Sequence, residues 1–180
     1  PDLARFKTTQ EKLSAWEKYC KALTEEEKYS LLITETDTGI NLSKNHPEFL
    51  AQFYFFKGYG YEYTNNQYVK AVMYYEKSLE LAQKYKNLRL ETSNLMRLNY
   101  MYYSVKDHEK GRKLIEYVKS IVDTVKDQDS KATMLGSIGE YYLDRSEFEN
   151  FITYKLKAIN LLLADKKPDE MKVNNIGVSY

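Results

Sequence analysis

With 180 residues, and 27 Lys and Arg set against 26 Asp and Glu, the chain can bury a substantial core and has no cationic excess to draw this segment to nucleic acid. Its 7 Gly and 3 Pro are too few for a turn-rich β-sandwich or a disordered linker, and its single Cys excludes an internal disulfide. No apolar run approaches the ~20 residues of a membrane span, and Tyr is the compositional outlier at 18 residues.

The elements recur with a period near forty. In "AWEKYCKAL", Trp16, Tyr19, Cys20 and Leu23 set a spacing of large and small residues. It returns at Phe56, Tyr59, Gly60 and Tyr63, at Leu95, Leu98, Asn99 and Tyr102, at Leu135, Ile138, Gly139 and Tyr142, and at Val173, Ile176, Gly177 and Tyr180. The small position falls at 20, 60, 99, 139 and 177, in steps of 40, 39, 40 and 38. About nine residues after the first four small positions stands a ring: Tyr29, Tyr68, His108 and Phe148. Apolar residues three and four apart follow, as in Val72, Tyr75, Leu79 and Ala82. That is helical and not strand periodicity, so each unit reads as two helices joined by a short turn.

In chain order the units run over about 9–46, 47–86, 87–126 and 127–167, with a half unit at 168–180. The first connection carries "TEEE" (Thr24 to Glu27), which has the form of a capping box opening a second helix. Pro47 suits the start of the next first helix, where a missing N–H costs little, and Pro168 does the same near the end of the chain. Asn66 and Asp107 supply caps at the second and third connections, and "SEFE" (Ser146 to Glu149) repeats the capping-box form at the fourth. The small positions mark where helices cross closely enough to exclude a larger side chain. A Gly inside a helix costs about 1 kcal/mol relative to Ala, so close packing must return at least that much.

This pattern resembles the tetratricopeptide repeat family over nearly the whole chain, from about Leu13 to Tyr180. The strongest stretch is "LGSIGEYYLDRSEFENFITYKLKAINL", with Gly139, Tyr142, Phe148 and Ala158 in the family's signature positions. "FFKGYGYEYTNNQYVKAVMYYEKSLEL" follows, with Gly60, Tyr63, Tyr68 and Ala71 and a turn one residue short. The departures are a repeat near 40 residues where 34 is usual, and Phe151 where the family has Ala. The resemblance implies an all-α, right-handed α-solenoid of stacked antiparallel helix hairpins. The long repeats are similar in style to those of bacterial signal-transduction and transcriptional regulator proteins. "MKVNNIGVSY" then reads as a first helix whose partner lies beyond Tyr180, since solenoids close on a polar cap and Val173, Ile176 and Tyr180 do not form one.

Cys20 occupies a packing position and has no basic cluster beside it, so a structural role is expected. His46 and His108 have no further ligands at metal spacing, and Glu25, Glu26 and Glu27 are accounted for by capping and the helix dipole. No phosphate loop, GxSxG or HExxH occurs; no catalytic residue, metal or cofactor is expected, and the chain reads as a non-enzyme. The resemblance implies a ligand groove on the first helices, at residues three before and one after each small position. Those are Lys57 and Tyr61, Met96 and Tyr100, Gly136 and Glu140, and Asn174 and Val178, with Tyr103 and Leu143 a turn further along. The other reading, in which these side chains are simply exposed or covered by a neighbouring unit, stays open beside it. Lys57 alone matches the cationic clamp that some members use on a terminal carboxylate, so such a ligand is not expected.

The expected function is a protein- or peptide-binding domain, the sensory or docking segment of a larger bacterial signalling or regulatory protein. Two alternatives accompany it. One is a peptide-pheromone type of receptor coupled to a DNA-binding module, for which only Asn174 and Asn65 offer backbone-holding amides. The other is an assembly scaffold, including a homodimer through an exposed C-terminal helix. The compartment stays open between the cytoplasm and an extracytoplasmic sensor. A chain lengthened by ~30 residues, enough for at least the partner helix, is expected to melt higher in a thermal scan; an equal or lower melting temperature argues against a missing partner helix.

Overall fold

The computed structural model describes residues 6–64 and 67–164. Among these the chain is all-α, with eight α-helices and no strand. They are α1 (Thr9–Glu25), α2 (Tyr29–Leu42), α3 (Pro47–Glu62), α4 (Tyr68–Lys84), α5 (Leu88–Ser104), α6 (His108–Ile121), α7 (Gln128–Leu143) and α8 (Phe148–Leu163). A single 3-10 turn, Val122–Thr124, follows α6. The helices pack in consecutive pairs, an α-solenoid-like arrangement. Residues Tyr29, Tyr68, His108 and Phe148, the recurrent rings, are the first residues of α2, α4, α6 and α8. No described helix is long and apolar enough to cross a membrane.

The turns work differently from the capping boxes expected at "TEEE" and "SEFE". Thr24 lies inside the last turn of α1, where its hydroxyl donates to the Lys21 carbonyl at 2.6 Å. Glu27 takes a left-handed conformation (φ 56°), and Lys28 N–H reaches back to the Leu23 carbonyl at 2.9 Å while Glu27 N–H donates to Thr24. Those paired bonds close α1 as a Schellman motif, so the polar cluster stops the first helix and does not start the second. Ser146 likewise turns left-handed (φ 59°), with Glu147 N–H bonded to the Tyr142 carbonyl, and no side chain caps α8. Lys106 and Lys86 repeat the device.

Other expected starts hold. Asp107 accepts the Lys110 N–H at 3.1 Å, and Pro47 is the first residue of α3. Two starts were missed: the capping box of Thr8 and Glu11 at α1, and Asp127, which accepts from Ser130 N–H at 2.8 Å. Asn66 and Pro168 lie outside the described residues.

Two compact units divide the chain, Pro1–Asn94 and Leu95–Tyr180. In unit 1, α3 packs against α1, α2 and α4. Leu13, Trp16, Cys20 and Leu23 of α1 form one cluster with Leu32 of α2 and Phe49, Phe53 and Phe56 of α3. The Trp16 indole donates to the Glu35 carbonyl at 2.8 Å, which satisfies a ring that would otherwise bury a polar N–H. A polar relay crosses this unit as well. Asn94 donates to Ser78 at 2.8 Å, and Ser78 donates to the Ala51 carbonyl at 2.8 Å, tying α5, α4 and α3 through fully buried side chains.

Unit 2 draws its core from Leu98 and Met101 of α5, Ile115 and Val118 of α6, Met134 and Ile138 of α7, and Ala158 of α8. Asn99 sits in a small position and donates to the Ser137 carbonyl of α7 at 3.0 Å. Cys20, Gly60, Asn99 and Gly139 are all buried, as their spacing requires, but they do not face one kind of neighbour. A methyl on Gly139 would meet Lys155 Cγ of α8, its own hairpin partner, at 3.2 Å. On Gly60 it would meet Ile33 Cγ1 of the preceding α2 at 2.7 Å. Eight residues separate Gly60 from Tyr68, where nine separate Gly139 from Phe148. One residue of phase rotates a helical position by ~100°.

Two further glycines give opposite expectations. A methyl on Gly39 would lie 2.5 Å from the ring of Phe53, which is fully buried, whereas on Gly111 the first contacts are at 3.7 Å and 3.8 Å. Gly39→Ala should destabilise unit 1 by about 1–3 kcal/mol from overpacking, net of its better helix propensity. Gly111→Ala should stabilise by about 1 kcal/mol. Urea unfolding checks both, with the fluorescence of Trp16, the sole Trp, following unit 1.

Candidate functional site

In unit 1 the first helices α1 and α3 and the start of α5 enclose a cleft of about 590 Å³. α1 contributes Ser14, Glu17, Lys18 and Lys21, which recur three and four apart and so share one face. α3 contributes Gln52, Phe55 and Phe56, and the third wall carries Asn87, Arg89, Leu90 and Ser93. The floor is apolar: Phe56 is buried, and Phe55 packs at 6.2 Å from it and at 5.5 Å from the ring of Tyr75.

The rim is cationic. Lys18 and Arg89 are exposed and make no ion pair among the described residues, and Lys21 reaches Glu25 at 3.8 Å on open surface. Such an exposed pair holds little energy and leaves the Lys available. Glu17 opposes these charges in part, and burial pushes its carboxyl above the usual range while Lys18 pulls it back.

The groove residues expected from the sequence are placed as follows. Lys57 is only 4% exposed, its ammonium bridged to Asp37 and 5.1 Å from the ring of Tyr74. Tyr61 stacks on Tyr74 at 5.5 Å, with Lys70 at 5.2 Å from its ring. Both belong to a Tyr–Lys array on α3 and α4 and not to the cleft. In unit 2, Met96, Tyr100 and Tyr103 are exposed together on one face of α5. Gly136 is buried; Glu140 is ion-paired with the buried Lys155; Leu143 is half-buried. Asn174 and Val178 lie outside the described residues, as does Asn65.

On α3 the expected positions three before and one after Gly60 are Lys57 and Tyr61, and neither lines the cleft, whose α3 residues are Gln52, Phe55 and Phe56. The same rule applied to Cys20 gives Glu17 and Lys21, which do line it. The spacing thus holds the signal on α1 and not on α3.

Unit 2 has a smaller recess of about 370 Å³ between α6, α7 and α8, where Lys119, Lys131 and Lys157 stand around Tyr154. These ammonium groups are already engaged. Lys131 meets Asp123 at 3.5 Å, and Lys157 lies 5.1 Å from the Tyr154 ring. Lys119 donates to the Tyr142 hydroxyl. Burial works against its charge, but that hydrogen bond and the neighbouring tyrosines raise its pKa on balance.

Cys20 is fully buried, and its thiol is pushed up to about 12, first by burial and then by Glu35 and Glu17. No cluster of three or more metal-ligating side chains occurs among the described residues.

No family model and no curated protein matches the sequence. Among solved structures, the crystal structure of BtubC (BKLC) from P. vanneervenii superposes with a TM-score of 0.70 at 14% identity. The match covers 89% of this chain and 66% of that one, so this chain spans a little under two thirds of its neighbour's length. At that identity the likeness shows a shared fold and nothing more.

Two outcomes follow from the burial pattern. Cys20 should resist a thiol reagent at pH 8 in the native protein and react at once in denaturant, as read by mass spectrometry. Asp37→Ala should cost about 1–2 kcal/mol in urea unfolding, because it strands the buried Lys57 while removing only a surface-exposed carboxylate. Lys57→Met should cost less.

Proposed function

We propose that this chain is a peptide- or protein-binding helical-repeat domain of the tetratricopeptide kind, and that the cleft of unit 1 seats its ligand without catalysing a reaction. The carrying observation is the combination of an apolar floor at Phe55 and Phe56 with the exposed Lys18 and Arg89, which make no ion pair among the described residues. An extended segment with an apolar side chain and nearby Asp or Glu residues fits this arrangement. Its ring or aliphatic group would fill the floor, and its carboxylates would form charge-assisted bonds at the rim. A non-catalytic role is supported by Cys20, whose thiol is committed to packing. Placement within a larger signalling or regulatory protein rests on the length and style of the repeats.

Selection from a random peptide display library tests the reading. Enriched peptides should combine apolar and acidic residues and bind the Lys18→Glu, Arg89→Glu double variant at least tenfold more weakly, with an unchanged melting temperature. Tenfold corresponds to about 1.4 kcal/mol, modest for the loss of two charge-assisted contacts. Peptides that bind the reversed variant equally well place the ligand elsewhere.

A further inference from the structure

Lys57 and Lys155, the two buried lysines among the described residues, each reach a carboxylate, Asp37 and Glu140 respectively. Lys119, half-buried on α6, departs from that rule. Burial weighs against its charge, and the groups that act on the ammonium are Tyr142, Tyr154 and Tyr141, with no described carboxylate among them. A phenol oxygen accepts one of the three N–H bonds of an ammonium and leaves its charge in place. A charge withdrawn from water without a counter-charge costs free energy, which an incoming anion recovers.

The unit 2 recess adds two more ammonium groups. Lys119 and Lys157 lie 5.9 Å and 5.1 Å from one ring, that of Tyr154, which stacks on Tyr142 at 5.7 Å. Lys131, 3.5 Å from Asp123, lines the same recess. The ring contacts hold their lysines in place without cancelling their charge, since an aromatic face attracts a cation but carries no net charge. Of the described residues that line the recess, Asp123 is the one carboxylate, and its side chain is 92% exposed. Three cations against one anion leave a net charge of +2. The remaining wall is apolar: Val122 and Leu135 are buried, and Leu161 is half-buried.

We propose that this recess binds a phosphate monoester, its phosphate among Lys119, Lys131 and Lys157 and its carbon substituent against Val122, Leu135 and Leu161. Such an ester carries about −1.5 to −2 charge near neutral pH, which matches the lysine excess, whereas a carboxylate supplies half of it. Lysine serves phosphate well as a point charge. A volume of about 370 Å³ lies at the small end of ligand sites, so the substituent is a single ring or a short aliphatic group. A free ester and a phosphorylated side chain of another protein offer this same chemistry. The site is built from unit 2 residues alone and does not depend on what the unit 1 cleft binds.

The test titrates the 15N-labelled 180-residue chain at low salt with phenyl phosphate, inorganic phosphate, benzoate and a Gly–Ser peptide carrying one phosphotyrosine, and follows the backbone amides by NMR. Phenyl phosphate should saturate with a Kd of about 1 mM or below, and at least about threefold more tightly than inorganic phosphate or benzoate. The shifted amides should fall within 119–123, 131–135 and 154–161. A peptide that binds as tightly as phenyl phosphate assigns the site to a phosphorylated side chain, and a weaker one assigns it to a free ester; both bear the proposal out. Lys157→Met, at an exposed side chain, should weaken phenyl phosphate by about fivefold with an unchanged melting temperature. Asp123→Asn should tighten it by about twofold, because Lys131 loses its competing partner. Lysines that serve packing alone predict no change in either variant. That result overturns the proposal, as do a titration that does not saturate, shifts scattered over lysines elsewhere in the chain, and benzoate or inorganic phosphate binding as tightly as the ester.

Discussion

The close approach of helix backbones governs this molecule. At Gly39 the ring of Phe53 fills the space a methyl would take, and at Gly58 the ring of Tyr75 does the same, with contacts at 2.5 Å and 2.9 Å. Each glycine gives up about 1 kcal/mol of helix propensity. The return is an aromatic ring fully withdrawn from water, which is worth more than that through buried apolar area. Both rings belong to the next helix in the chain, so each contact fixes how one helix seats on its neighbour. The cleft of unit 1 is a product of that seating, because its floor residues Phe55 and Phe56 are held by the same packed α3.

Buried polar groups reinforce the packing and narrow it to one register. Ser78 and Asn94 link three helices in sequence, and Asn99 reaches a backbone carbonyl of α7. A shift of one residue along any of these helices would leave a donor buried and unpaired, which costs about 1–3 kcal/mol. Lys57 and Lys155 work similarly: each is almost fully buried along its stem and delivers its ammonium to a carboxylate nearer the surface. These side chains are used up by structure. Lys18 and Arg89 on the unit 1 rim, by contrast, make no ion pair among the described residues.

Much of the architecture could be read from the residues. The four rings at Tyr29, Tyr68, His108 and Phe148 mark the first residues of α2, α4, α6 and α8. The turns were harder. "TEEE" and "SEFE" have the composition of a helix start, yet the chain spends those residues on ending the preceding helix, with Glu27 and Ser146 in a conformation that glycine usually takes. Local sequence does not distinguish the two uses, since the bonds that decide it run back five residues to the Leu23 and Tyr142 carbonyls.

The sequence by itself determined the helical class, the period, and the burial of Cys20, Gly60, Asn99 and Gly139, since all of these follow from the spacing of large and small side chains along a 3.6-residue turn. Only the tertiary structure decided which helix each small position faces, because that depends on how neighbouring helices seat on one another: Gly60 lies against Ile33 of α2, Asn99 reaches α7, and Gly139 lies against Lys155 of α8. It also decided which charges remain available. Lys57 and Lys18 are chemically alike in the sequence; Asp37 reaches one of them, and no described carboxylate pairs with the other.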